Sequence, residues 1–206
     1  MLLTYYTPFQ SSYQEENNQG RSLRFYEKGE NIPLIPSGVW QVNYGVVQLS
    51  QLHLDGEEIL LGWAKPSTFF GRGLSQIEAY QAKALSDVSL KWYLLEEIRN
   101  NSNLTQLALQ QLITRIKQTE ALLAIAGLRL VEDRLHALLN LLQQELSEPV
   151  TNGNRIMVRL THQNLASTIG TTRVTITRLL GEFQRHNWIK LDCDRHIIIL
   201  NTFPKT

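Results

Sequence analysis

The chain has 206 residues, 43% of them hydrophobic and 19% charged, so it is long enough for one large or two small domains and too apolar for global disorder. Its net charge of +1 conceals an asymmetry: Thr151 to Leu200 carries +4 and the remainder −3, which makes the C-terminal third the place to expect a polyanionic partner. The single cysteine, Cys193, excludes an intrachain disulfide framework, a four-thiolate iron–sulfur cluster and a multi-cysteine zinc site.

Residues 1–22 are polar and read as a flexible arm. They lack the charged and apolar segments of a secretory signal. No apolar run reaches the roughly 20 residues that a membrane span needs, so a cytoplasmic protein is expected.

From 23 to 98 the pattern is that of β-strands, with Val, Leu, Trp and Tyr clustered between the turn signals Tyr44-Gly45 and Asp55-Gly56. Asp55-Gly56 between two apolar runs predicts a hairpin. Short strands with glycine punctuation predict an antiparallel roll, a sensor-like domain.

From 99 to 128 the period becomes helical. Leu109, Ile116, Leu123 and Leu130 recur every seven residues, with Leu112, Thr119 and Ala126 three places later in each heptad. That spacing predicts a coiled-coil seam joining two copies through residues 104–127. The alternative is a helix packed only on its own domain. Gly127 breaks or bends the run, and a second helix is expected over 131–146.

The remainder, 129–206, predicts a winged helix-turn-helix. With His162 as position one, Ala166 falls at five, Gly170 at nine and Ile176 at fifteen. A small residue lets two helices cross closely, and the glycine permits a positive φ in the turn. Leu165, Ile169, Ile176 and Leu179 supply the shared core, Thr161 caps the first helix, and Thr171 or Thr172 caps the second. The solvent face of the second helix then presents Arg173, Val174, Thr177 and Arg178. Arginines there suit the O6 and N7 acceptors of guanine, and Val174 suits a thymine methyl. Thr161, Gln163, Thr172 and Thr175 are placed to bond phosphates. The tail DCDRHIIIL predicts a hairpin with Ile189–Leu191.

A glycine-punctuated roll, a long helix, LTHQNLASTIGTTRVTITRLLGEF and a wing together resemble the CRP/FNR family of transcription regulators over nearly the whole chain, the arm excepted. TTRVTITRLLG is similar to the recognition helix of that family's nitrogen-control members. The resemblance implies an α+β fold: a cyclic-nucleotide-binding-like roll, a long dimerisation helix and a winged helix-turn-helix. It also implies a homodimer on palindromic double-stranded DNA, with RNA polymerase as a protein partner. The family's base-reading positions fall on Arg173, Val174 and Arg178. Many members have a glutamate at the middle one, so the valine implies a different half-site, a GTA-containing palindrome if the nitrogen-control likeness holds.

The family's cyclic-nucleotide members carry Phe-Gly-Glu, a short helix and Arg-Ser or Arg-Thr. This chain has FFGRGLSQIEAYQAKAL, with Arg72 in place of the glutamate, a shorter loop and no Arg-Ser pair. Both main directional contacts of cAMP are lost, so gating by cAMP is not expected. Arg72 between Gly71 and Gly73 is either an anion site for a metabolite such as 2-oxoglutarate or a structural ion pair. Thr119 matches a dimer-helix threonine that touches the nucleotide base in those members, but Glu120 replaces its serine neighbour. No haem, iron–sulfur or other cofactor is expected, His53 and His136 being solitary. Asp55, Glu57 and Glu58 form a solvated turn, and no nucleophile motif, P-loop or dinucleotide fingerprint appears, so enzymatic activity is not expected.

Overall fold

A computed structural model describes residues 22–54, 56 and 58–200. Residues 1–21 of the expected arm, and Asp55 and Glu57, lie outside the described residues. Among the described residues the fold has three antiparallel sheets and five α-helices.

The N-terminal half forms the roll. Strands β1 (Leu23–Tyr26), β2 (Gly38–Tyr44), β5 (Phe69–Phe70) and β7 (Val88–Leu94) form one sheet in the order β1-β7-β2-β5. Strands β3 (Val47–Leu52), β4 (Glu58–Ala64) and β6 (Tyr80–Ala84) form the other, in the order β4-β3-β6. Inward residues of both sheets, among them Trp40, Val42, Val47, Leu49, Phe70 and Leu90, close the roll around one apolar core. The β3–β4 pairing runs Leu52↔Glu58 at its end, which places the expected hairpin between them.

A short helix, α1 (Leu95–Asn100), leads into α2 (Ser102–Ala126), a single helix of 25 residues. Asn101 caps it, its side chain accepting from the amides of Asn103 and Leu104. One row of α2, Leu104, Leu107 and Ala108, packs on Val39, Phe69 and Tyr93 and fastens the helix to the roll. The heptad row points the other way: Leu109 and Ile116 are each 58% exposed and Leu123 73%.

The helix ends at Gly127, whose amide bonds back to Leu123 and Ala124 with φ −76°. Leu130 therefore lies beyond α2, as the exposed residue that precedes α3 (Val131–Leu146). Arg134 donates to the carbonyls of Leu128 and Arg129 in the turn between the two helices, a contact that seven-residue spacing does not register.

In α3 the buried residues Leu135, Leu138, Leu139, Leu141, Leu142 and Leu146 recur at helical spacing. Each buried leucine contributes about 1.5–3 kcal/mol. They share a core with α4 (His162–Ile169), α5 (Arg173–Arg185) and a sheet of order β10-β11-β9-β8. Its strands are β8 (Ser147–Val150), β9 (Gly153–Ile156), β10 (Ile189–Leu191) and β11 (Ile197–Ile199). Ile189 pairs with Ile199 and Leu191 with Ile197, the wing hairpin that the tail predicted. Among the described residues no helix is long and apolar enough to cross a membrane.

Candidate nucleic-acid interface

Thr161 begins α4 with a capping box: its side chain accepts from the Asn164 amide, and the Asn164 side chain accepts from the Thr161 amide. Gly170 ends the helix with φ 63° and ψ 57°, the left-handed turn for which a glycine is expected. Ala166 is fully buried where α4 meets α5, and Leu165, Ile169, Ile176 and Leu179 lie beside it. Thr172, rather than Thr171, caps α5, accepting from the Thr175 amide at 3.2 Å.

That framework holds the opposite face of α5 in solvent. Val174 is 78% exposed, an apolar side chain standing in solvent on that face. Arg173 is exposed one residue earlier, at the positive end of the helix. Arg178, with 61% of its side chain exposed, pairs with Glu182 at 2.6 Å. Thr177 Oγ1 donates to the Arg173 carbonyl and sits 2.7 Å from His162 Nδ1. Thr161 and Gln163 are exposed at the start of α4, and Thr172 and Thr175 at the start of α5 are bonded hydroxyl to hydroxyl at 3.0 Å. The structure thus gathers the sequence-predicted base and phosphate positions around the N-terminal ends of α4 and α5.

In the wing, Arg155 Nε pairs with Asp192 at 2.6 Å and Nη1 with Glu148 at 3.0 Å, while Nη2 reaches His196 Nδ1 at 2.7 Å. Donation from Arg155 holds the Asp192 carboxyl down at about 2. Asp192, Asp194 and His196 have donor atoms within 4.8 Å of one another, but the guanidinium already supplies the positive charge there.

The expected effector residues are not gathered in the same way. Arg72 opens a 3₁₀ turn, Arg72–Leu74, and donates to the Glu78 carbonyl. It lines a cavity of about 410 Å³ with Tyr80, Asn31 and Ile32. Gly71 is buried against β2, and Gly73 approaches Leu95. Thr119 lies on the outward face of α2, its hydroxyl bonded to the Arg115 carbonyl.

Sequence reasoning missed Arg115 and Gln118. Arg115 donates to the carbonyls of Leu61 and Trp63 and, at 2.6 Å, to Gln118. Gln118, only 4% exposed, accepts from the Trp63 amide at 2.9 Å. Burial lowers the Arg115 pKa and pushes the Tyr80 phenol up to about 12, against the pull of the neighbouring guanidinium. Their three-residue spacing on the row that faces the roll was the available signal.

A β-roll, a long helix and a winged helix-turn-helix with an exposed basic recognition face define a DNA-binding transcription regulator. Residues 133–202 match the model of the Crp-like helix-turn-helix domain. The chain is 34% identical over 156 residues to the global nitrogen regulator of Synechocystis sp., covering 71% of this chain and 69% of that one. It is 33% identical over 179 residues to the regulatory protein CysR of Synechococcus elongatus, covering 84% and 82%. A solved CRP/FNR-family regulator of Thermus thermophilus shares the fold, with TM-score 0.71, 23% identity and coverage of 87% and 94%. The chain belongs to the CRP/FNR family of transcription regulators. Its relatives are regulators rather than enzymes.

Proposed function

We propose that the protein acts as a homodimer that reads a palindromic DNA site. Two copies of α2 pair through Leu109, Leu112, Ile116, Thr119 and Leu123, and each α5 enters a major groove with Arg173, Val174 and Arg178 toward the base edges. The observation that carries this reading is the pairing, on one chain, of an outward apolar stripe on α2 with an outward basic face on α5. Two-fold pairing would set the recognition helices about 34 Å apart, one turn of DNA. Sedimentation of the free protein and of its complex with a palindrome tests it: two chains per duplex are expected, and one chain per palindrome with no dimer in solution contradicts it.

A second reading, gating by a small anionic metabolite such as 2-oxoglutarate, is favoured by Arg115 rather than by Arg72. Among the described residues the polar partners of the Arg115 guanidinium are carbonyl oxygens and Gln118, not a carboxylate, so a positive charge is desolvated beside the dimer helix. An anion there would alter how α2 sits on the roll and so shift the population of DNA-competent dimers. Thermal shift tests it: 2-oxoglutarate should raise the Tm of the wild type and not of Arg115→Met. An unchanged wild-type Tm at millimolar concentration contradicts this second reading.

A further inference from the structure

Apart from an apolar contact, the DNA-binding domain is joined to its own roll twice. One joint is covalent, the turn Gly127–Leu130 between α2 and α3. The other crosses 80 residues of sequence: Lys65 Nζ lies 2.8 Å from Glu145 Oε2 and 3.4 Å from the Glu145 carbonyl. Glu145 stands in the last turn of α3, which carries no basic residue of its own. A helix C-terminus is the negative end of the macrodipole, so the roll supplies the cation that α3 lacks. Lys65 is held on a stiff turn, with Ser67 at φ 74° and the Thr68 amide bonded to the Lys65 carbonyl. Beneath the pair, Val46 and Trp63 of the roll, with Leu60 and Leu85, belong to the apolar core built by α3, α4 and α5 rather than to the core of the roll. None of these residues lies on the recognition face.

We propose that Lys65 is a positioning residue for DNA recognition: with Glu145 it clasps the helix-turn-helix to the roll and so fixes the angle at which α5 projects from the dimer helix. The apolar contact of Val46 and Trp63 seats the domain on the roll, and the ion pair from the β4–β5 turn restrains its remaining movement about the Gly127–Leu130 turn. The clasp matters only when two recognition helices must meet two half-sites together, so the proposal rests on the dimeric reading above. A duplex carrying one half-site needs one domain and is indifferent to the angle.

The test is the ratio of affinities for a full palindrome and for a single half-site duplex, at fixed salt, with Tm measured alongside. Lys65→Gln and Glu145→Gln should each lower the ratio about fivefold, the scale expected of one half-buried ion pair, through weaker palindrome binding alone. Lys65→Arg and the exchanged pair Lys65→Glu with Glu145→Lys should restore it. Half-site and palindrome affinities that fall together, or a ratio unchanged in Lys65→Gln, would overturn the clasp. A wild type that binds both duplexes equally would instead remove the dimeric reading, and the clasp with it.

Discussion

His162 of α4 and Thr177 of α5 meet across the exposed face of the helix-turn-helix, Nδ1 to Oγ1 at 2.7 Å. Thr177 gives its one hydroxyl proton to the Arg173 carbonyl, at 2.9 Å, so His162 must donate through Nδ1. The bond ties the two helices on the side away from their apolar core. Replacing His162 with Ala should weaken specific DNA binding by about 1 kcal/mol, the worth of one hydrogen bond, with little change in Tm because both groups are near the surface. A large fall in Tm with DNA affinity intact would show the bond to be a fold contact instead.

Arg178 is held by Glu182 in the free protein, and reading a guanine would require the guanidinium to leave that partner. Arg178→Ala should cost about 1–3 kcal/mol on the specific site and relax the preference at one base pair. Glu182→Gln should tighten binding modestly by freeing that guanidinium, without flattening the salt dependence. Equal losses on specific and random DNA in Arg178→Ala would mean that this arginine meets phosphate alone.

The helix-turn-helix was legible because its requirements are positional: Ala166 must be small, Gly170 must accept a positive φ, and the capping threonines must sit one residue outside their helices. The long helix was legible from the side that its own chain does not cover. Its heptad row lies in solvent, whereas the row on the roll mixes Leu104, Leu107 and Ala108 with Gln111, Arg115 and Gln118. A polar side chain that bonds strand backbone looks, in a hydropathy pattern, like one facing water. The same blindness hid Lys65 and Glu145, whose meeting depends on how two domains pack. Nor does a hydropathy pattern show that Leu130 lies beyond the end of α2. Strand β5, only two residues long, and the short helix α1 carry too few residues to show a period.

Gly62 of β4 has φ 137°, and a side chain there would strike Arg115 and Gln118. Gly62→Ala should therefore destabilise the protein by about 2–4 kcal/mol through backbone strain and loss of the α2–roll hydrogen bonds. Equilibrium unfolding checks this. An unchanged midpoint would mean that α2 does not depend on that close approach.

The wing should stiffen against acid through Asp192. A carboxyl held at about 2, below its ordinary value of 3.8, contributes stability that is complete above that ordinary value and is lost as the pH falls through the folded-state one. Asp192→Asn should lower Tm at pH 7 and remove part of the fall in stability between about pH 4 and pH 2. Identical acid limbs for wild type and variant would contradict the role given to the Arg155 pairing.

The most direct measurement is fluorescence anisotropy of the purified protein at fixed salt. The duplexes are a GTA-containing palindrome, with half-sites about one helical turn apart, and a scrambled control, each with and without cAMP and 2-oxoglutarate. A homodimer that reads base edges should bind the palindrome roughly 10³-fold or more tightly than the scrambled duplex, the usual scale of specific recognition, with no dependence on cAMP. Equal affinity for both duplexes under every condition would contradict it.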